Sequence, residues 1–129
     1  MKFYLNLKFN GENGASCRLI FKIRGTNDDI IYRVKLIVKD GEIRQGGTFG
    51  TQSSDEITST LPHLEPNNKI SIAITTKTYD VKVNGEDILP RYPVNETLLQ
   101  MYQRLEIGML SAPYCLTLDE DKSYIQLVG

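Results

Sequence analysis

Hydrophobic residues recur at every second position along much of this chain, and each run ends at Gly, Asn, Asp or Pro. Phe3, Leu5, Leu7 and Phe9 alternate with Tyr4, Asn6 and Lys8 before the turn-forming stretch Asn10-Gly11-Glu12-Asn13-Gly14. Cys17, Leu19, Phe21 and Ile23 follow on one face, with Arg18, Ile20, Lys22 and Arg24 on the other, and Gly25-Thr26-Asn27-Asp28-Asp29 turns the chain again. Tyr32, Val34, Leu36 and Val38 then alternate with Arg33, Lys35 and Ile37 up to Lys39-Asp40-Gly41. A period of two marks a strand with one buried face, because successive side chains on a strand point to opposite sides. Lys39-Asp40-Gly41 predicts a type I′ hairpin, in which both central residues take positive φ.

Between Gly46 and Asn68 the alternation weakens, and Gly46-Gly47, a Ser/Thr-rich stretch, Pro62 and Pro66 predict an irregular segment around one or two short strands. Ile70, Ile72 and Ile74, then Tyr79, Val81 and Val83, restore the strand pattern and run into Asn84-Gly85, a strong local hairpin signal. Ile88-Leu89 would be the returning strand. Asn95 to Arg104 carries Leu98, Leu99 and Tyr102 at spacings that predict the one helical turn of the chain. Leu105–Ile107 and Tyr114-Leu116-Leu118 alternate once more, and Tyr124 to Val128 reads as a last strand. About ten short strands with almost no helix predict an all-β, antiparallel sandwich or barrel. At 129 residues the chain fits one domain, residues 1–129, built on one core.

Composition adds little pull in any direction. A hydrophobic fraction of 40% with 24% charged residues is ordinary for a soluble globular protein, and a net charge of −1 gives no overall attraction to nucleic acid or acidic membranes. Apolar runs such as Leu36-Ile37-Val38 fall far short of the ~20 residues of a membrane-spanning helix. The N-terminus Met1-Lys2-Phe3-Tyr4-Leu5-Asn6 is too interrupted for a signal peptide, so the expected compartment is cytoplasmic. Cys17 and Cys115 have no metal-ligand neighbours in sequence; the expectation is two reduced, partly buried thiols, with a bridge only if the fold brings them together. Asn95-Glu96-Thr97 is read as an unmodified turn.

The residues needed for catalysis are not arranged for it. His63, the single histidine, lies between Pro62 and Leu64 with no nucleophile nearby in sequence. Asp119-Glu120-Asp121 lacks the glycine and distal glutamate of a calcium loop and reads as a solvated turn. Asp55-Glu56 and Glu86-Asp87 are also expected to be solvated turn carboxylates. The expectation is a protein that is not an enzyme and uses no metal or cofactor.

From Lys69 to Leu118 the chain resembles the galectins, the β-galactoside-binding lectin family. The resemblance rests on Ile70-Ser71-Ile72-Ala73-Ile74, Tyr79-Asp80-Val81-Lys82-Val83-Asn84-Gly85, Ile88-Leu89, Leu105-Glu106-Ile107-Gly108 and Tyr114-Cys115-Leu116-Thr117-Leu118. Upstream, Phe3-Tyr4-Leu5-Asn6-Leu7 is similar to the family's F-x-I-N-L, and Leu64-Glu65-Pro66-Asn67-Asn68 to its F-x-P-G turn. The resemblance implies an antiparallel jelly-roll β-sandwich of two sheets, galectin-like (concanavalin A-like). It also implies an opening strand before F-x-I-N-L, whose place the Tyr124–Val128 strand is expected to fill.

The family's sugar site is degenerate here. Galectins read galactose with H-x-N-P-R, an Asn on the next strand, and W-G-x-E-x-R after the following turn. Ile20-Phe21-Lys22-Ile23-Arg24 stands in place of the first motif, so only Arg24 matches. Lys35 falls near the next Asn, Ile43 near the Trp, and Gly46-Gly47 near the acidic residue, and the chain contains no Trp.

What the alternation offers instead is a basic surface. It sets Arg18, Lys22 and Arg24 on one face of one strand and Arg33 and Lys35 on one face of the next, neighbours in the family's fold. The expected function is a non-enzymatic galectin-like module that binds a protein partner or anionic ligand through this concave face. The alternative is a divergent lectin for a glycan other than simple β-galactosides. Expected partners are an acidic protein segment or an anionic glycan, not nucleic acid and not a membrane, with a homodimer through an edge strand as a further expectation. Tyr4 is the one ring on the assigned face strands that could stack on a base, too few for single-strand binding. Without an indole to stack on and polar partners for the axial hydroxyl, galactose binding falls below useful affinity. Millimolar lactose is therefore expected to leave the amide NMR signals around Arg24 and Lys35 unshifted; a saturable shift there would refute the reading.

Overall fold

The computed structural model describes residues 2–11, 16–25, 30–49, 52–53, 56–75, 77–94, 102–110 and 115–126. In chain order its strands are β1 (Lys2–Phe9), β2 (Arg18–Gly25), β3 (Ile30–Ile37), β4 (Glu42–Phe49), β5 (Gln52–Ser53), β6 (Ile57–Thr60) and β7 (Asn67–Ile74). They continue with β8 (Thr78–Val83), β9 (Glu86–Asp87), β10 (Tyr92–Pro93), β11 (Tyr102–Leu110), β12 (Leu116–Leu118) and β13 (Tyr124–Gln126).

Every pairing is antiparallel, and the strands form two sheets. The first runs β10-β8-β7-β1-β12, with β9 on β8 and β13 on β1; the second runs β11-β2-β3-β4-β5, with β6 also on β4. β12 and β13 share one edge of β1, Leu7–Phe9 pairing with Leu116–Leu118 and Lys2–Tyr4 with Tyr124–Gln126. The last strand thus takes the place beside β1 in its own molecule, and a one-turn 3-10 segment, Glu120–Lys122, joins β12 to β13. The acidic run there is a turn between strands, as its composition predicts.

The period-two pattern becomes the core directly. Phe3, Leu5, Leu7 and Phe9 of β1, with Leu19, Phe21 and Ile23 of β2 and Tyr32, Val34 and Leu36 of β3, are all buried. Ile70, Ile72, Val81 and Val83 lie beside the β1 residues in the first sheet and with them meet the β2 and β3 residues of the second. Phe3 packs edge-on against Phe21 across the sandwich, ring centroids 5.3 Å apart. Tyr32 stacks flat on Tyr79 at 3.9 Å, with Tyr92 tilted beside both.

Two turns follow from backbone chemistry. Asn84 and Gly85 both take positive φ, 51° and 84°, and Val83 pairs with Glu86, which is the two-residue type I′ hairpin that Asn-Gly favours. Asn84 also accepts a hydrogen bond from the Lys69 amide through its side-chain oxygen and donates to Asn68 through its amide group. Buried Asn68 is satisfied on both ends, accepting from the Glu65 amide at 2.9 Å and donating to the Glu65 carbonyl at 2.6 Å. At the other predicted type I′ turn the structure differs. Only Gly41 has positive φ, and its amide closes on the Val38 carbonyl at 3.1 Å. The connection between Ile37 and Glu42 is four residues long, so a single glycine after an ordinary turn suffices.

Other expectations are corrected. Gly46 and Gly47 lie inside β4, and β6 pairs with it from Glu42↔Thr60 to Gln45↔Ile57, so much of the region expected to be irregular is strand. The return after Asn84-Gly85 is Glu86–Asp87, not Ile88-Leu89, although Leu89 is buried. Tyr102 to Arg104, predicted helical, opens β11; Asn95 to Met101, including the Asn95-Glu96-Thr97 sequence, lies outside the described residues.

The cysteines are also corrected: Cys17 and Cys115 form a disulfide with Cα atoms 5.8 Å apart. Each immediately precedes a strand, β2 in one sheet and β12 in the other, and backbone hydrogen bonds at both residues fix them, Val38 N–H to the Cys17 carbonyl and Asn10 N–H to the Cys115 carbonyl. The bridge therefore spans the sandwich. Closing a loop with a sequence separation of 98 stabilises the fold by about 4–5 kcal/mol in the chain-entropy model.

The tyrosine cluster yields a contrast. The Tyr32 hydroxyl donates to Gln45 Oε1 at 2.7 Å, and Gln45, fully buried, donates to the Pro90 carbonyl at 2.6 Å. The Tyr79 hydroxyl is buried with no hydrogen-bond partner. Burial, and then the field of Tyr92, pushes the Tyr79 phenol up to about 12, and burial raises Tyr32 also. Because both folded values are raised, the stability these phenols carry is intact below the ordinary phenol value of ~10 and is lost as pH rises from there. Tyr32→Phe is expected to cost about 1–3 kcal/mol at neutral pH, since it strands a buried acceptor on Gln45, whereas Tyr79→Phe should be neutral or stabilising. Tyr79→Phe should also flatten the alkaline loss, which urea melts at neutral pH and near pH ~11 would measure.

Candidate ligand face

Burying Leu19, Phe21 and Ile23 commits the intervening residues of β2 to the opposite face of the sheet. Arg18, Ile20, Lys22 and Arg24 therefore point outward, Arg18 exposed and the others partly covered. On β3 the outward positions are Arg33, Lys35 and, towards its start, Ile30. Register makes the two strands a ladder: Ile20 lies opposite Lys35, Lys22 opposite Arg33, and Arg24 opposite Ile30 across an irregularity in β3. All five predicted basic residues, Arg18, Lys22, Arg24, Arg33 and Lys35, thus share one face, with two like charges directly opposed at Lys22 and Arg33.

The same face continues onto β4, where Lys35 pairs with Arg44 and Arg33 with Gly46. Acidic residues reach it from elements that the local pattern of β2 and β3 does not contain. Glu56, just before β6, stands between two of the cations: its carboxylate is 3.7 Å from Arg33 Nε and 3.4 Å from Lys35 Nζ. Glu42 takes two hydrogen bonds from Arg44, at 3.0 Å from Nε and 2.6 Å from Nη2. That hydrogen bonding is the main cause holding the Arg44 guanidinium above its usual value. On the other flank β11 sets Glu106 opposite Lys22 and Arg104 opposite Arg24. Among the described side chains the face is therefore a mixed array in which cations outnumber acids, not the uniform basic stripe the sequence suggests.

Arg33 is the least exposed cation of the Glu56 group, its side chain 14% accessible against 29% for Lys35. It lies over Gly46, where an added Cβ would sit 3.1 Å from Arg33 Nη2 and 3.5 Å from Glu56 Cγ. Glu56 is held mainly by charge. Its Oε1 takes one long hydrogen bond from Lys35, and its Oε2 is buried without any.

Two placements differ from expectation. Ile43, aligned by spacing with the family's indole, is fully buried in the core; the outward position of β4 beside Lys35 is Arg44. Parity decides this, because Ile43 pairs with inward Leu36. Tyr4 projects from β1 in the other sheet, where Lys69 Nζ lies 4.7 Å and Lys2 Nζ 5.8 Å from its ring centroid. It is remote in the topology from the basic face. His63 is exposed in the loop before β7. Among the described residues, no three His, Cys, Asp or Glu side chains are grouped to hold a metal ion, and no helix is long and apolar enough to cross a membrane.

No protein-family model and no curated sequence relative matches this chain. Solved structures do. A tetrameric galectin from the ball sponge Cinachyrella sp. superposes with a TM-score of 0.71 at 11% identity, covering 92% of this chain and 88% of that one. Sheep galectin-11, solved in complex with glycerol, gives a TM-score of 0.69 at 15% identity, with 92% and 85% covered. The Caenorhabditis elegans galectin LEC-6 gives 0.65 at 14% identity, with 91% and 76% covered. At these identities the likeness is one of fold.

The two glycines of β4 should answer differently to a methyl group. At Gly47 an added Cβ would lie 2.5 Å from the Ile31 carbonyl oxygen, a backbone atom that cannot step aside, whereas at Gly46 it meets the flexible end of Arg33. Gly47→Ala is expected to lose about 1–3 kcal/mol and Gly46→Ala less than half of that, read from urea melts of the two variants.

Proposed function

We propose, taking as the starting point that this chain has the galectin fold, that it is a non-enzymatic binding module whose outward β2–β3–β4 face takes an anionic group from an acidic protein segment or an anionic glycan. The observation that carries this reading is the clustering of Arg18, Lys22, Arg24, Arg33 and Lys35 on one face, extended by Arg44 through the register of β4. The galectin-like solved structures support a lectin-type role over catalysis. The arginines can grip a carboxylate or sulfate through two parallel N–H groups, while the lysines act as point charges that speed encounter.

The remaining expectations take their places around this face. A homodimer through an edge strand would use β11, the margin of the second sheet among the described residues; its register is broken between Tyr102 and Arg104, a feature that blunts edge pairing. A cytoplasmic home fits the sequence, while the Cys17–Cys115 bridge is a bond that oxidising compartments preserve. Non-reducing mass spectrometry of the protein from its own cells distinguishes the two settings.

Charge reversal tests the face. Lys22→Glu with Arg24→Glu should leave the melting transition cooperative and weaken binding of a poly-glutamate peptide or a sulfated oligosaccharide at least ~tenfold, with wild-type binding that falls as salt rises. Salt-insensitive binding of a neutral glycan, unchanged in the double variant, would instead support the divergent-lectin reading.

A further inference from the structure

Resting on the basic-face reading, we infer that Glu56 is an intramolecular stand-in for the ligand: its carboxylate occupies the seat between Arg33 and Lys35 that a carboxylate of an acidic peptide takes when the partner binds. The seat is built. Arg33 and Lys35 leave β3 on the same side two residues apart, Gly46 beneath Arg33 supplies the bare backbone over which the guanidinium lies, and Arg44 stands beside Lys35. Glu56 contributes its own side chain from the position just before β6, the strand that pairs with β4.

Three features mark the occupant as displaceable. A carboxylate can accept about four hydrogen bonds, yet Glu56 takes one of 3.4 Å from Lys35, and its Oε2 is buried with none. Its closest approach to Arg33 is 3.7 Å to Nε, too long for a hydrogen bond and far from a two-point grip. By contrast Glu42 on the same face holds Arg44 with contacts of 3.0 and 2.6 Å, so the face can make tight ion pairs where a carboxylate is well placed. The seat is thus filled by a poorly fitted acid, and a better-fitted one gains hydrogen bonds that Glu56 forgoes. A peptide is favoured over a sulfated sugar because the present occupant is itself a glutamate side chain, one residue before a strand.

Competition of this kind predicts that removing the stand-in strengthens binding. Glu56→Gln keeps the shape and removes the charge; Glu56→Ala empties the seat. The probe is a poly-glutamate peptide, with a sulfated oligosaccharide in parallel, measured by calorimetry on the oxidised full chain. Both variants should bind the peptide roughly tenfold tighter than wild type. Adding Arg33→Gln to Glu56→Gln should abolish the gain. Both single variants should melt below wild type without peptide and recover with it, because Arg33 and Lys35 are then left facing each other with no counter-charge.

If wild type binds the peptide and the Glu56 variants bind no tighter, the stand-in inference is overturned while the basic-face reading stands. If neither wild type nor variants bind either probe, both fail. A gain seen with the sulfated oligosaccharide alone overturns the choice of a peptide carboxylate as the natural occupant.

Discussion

The dry interface between the two sheets governs the rest of this molecule. Phe3 edge-on to Phe21, Tyr32 stacked on Tyr79, and the aliphatic rows of β2, β3, β7 and β8 fill it. Once those side chains are committed inward, strand geometry leaves no freedom for their neighbours, which must face out. Arg18, Lys22 and Arg24 are on one surface because Leu19, Phe21 and Ile23 are in the core. A one-residue slip of β2 would bury three cations and expose three hydrophobes, so the same burial that holds the fold also fixes which charges the face presents.

This dependence explains which parts of the structure were readable from the sequence. β1, β2, β3, β7 and β8 carry apolar residues at nearly every inward position, and all five were legible with their facing. β4 was not. Its inward positions are Ile43, Gln45 and Gly47, of which only the first is apolar, so the alternation disappears although the strand is as buried as its neighbours. Gln45 is tolerated there because Tyr32 and the Pro90 carbonyl satisfy both ends of its amide, a partnership across 13 and 45 residues that no local pattern announces. The spacing error that put Ile43 on the ligand face has the same root. The disulfide was illegible for a related reason: only the stacking of sheets brings residue 17 beside residue 115.

The ligand face shows the same division. Its cations are local in sequence and were found; its acids are not. Glu42 and Glu56 arrive from β4 and from just before β6. A reading confined to β2 and β3 therefore overstates the positive field. The structure replaces a uniform stripe with a patterned surface.

The Cys17–Cys115 bond has one more consequence, which concerns covalent connectivity. It turns residues 17–115 into a closed ring, with β1, β12 and β13 on the segments outside it. A protease that nicks any connecting loop within the ring opens it without separating the pieces, since both remain joined through the sulfur atoms. Such a nicked molecule keeps its complete set of strands in one covalent body, and only a cut together with a reductant divides it in two.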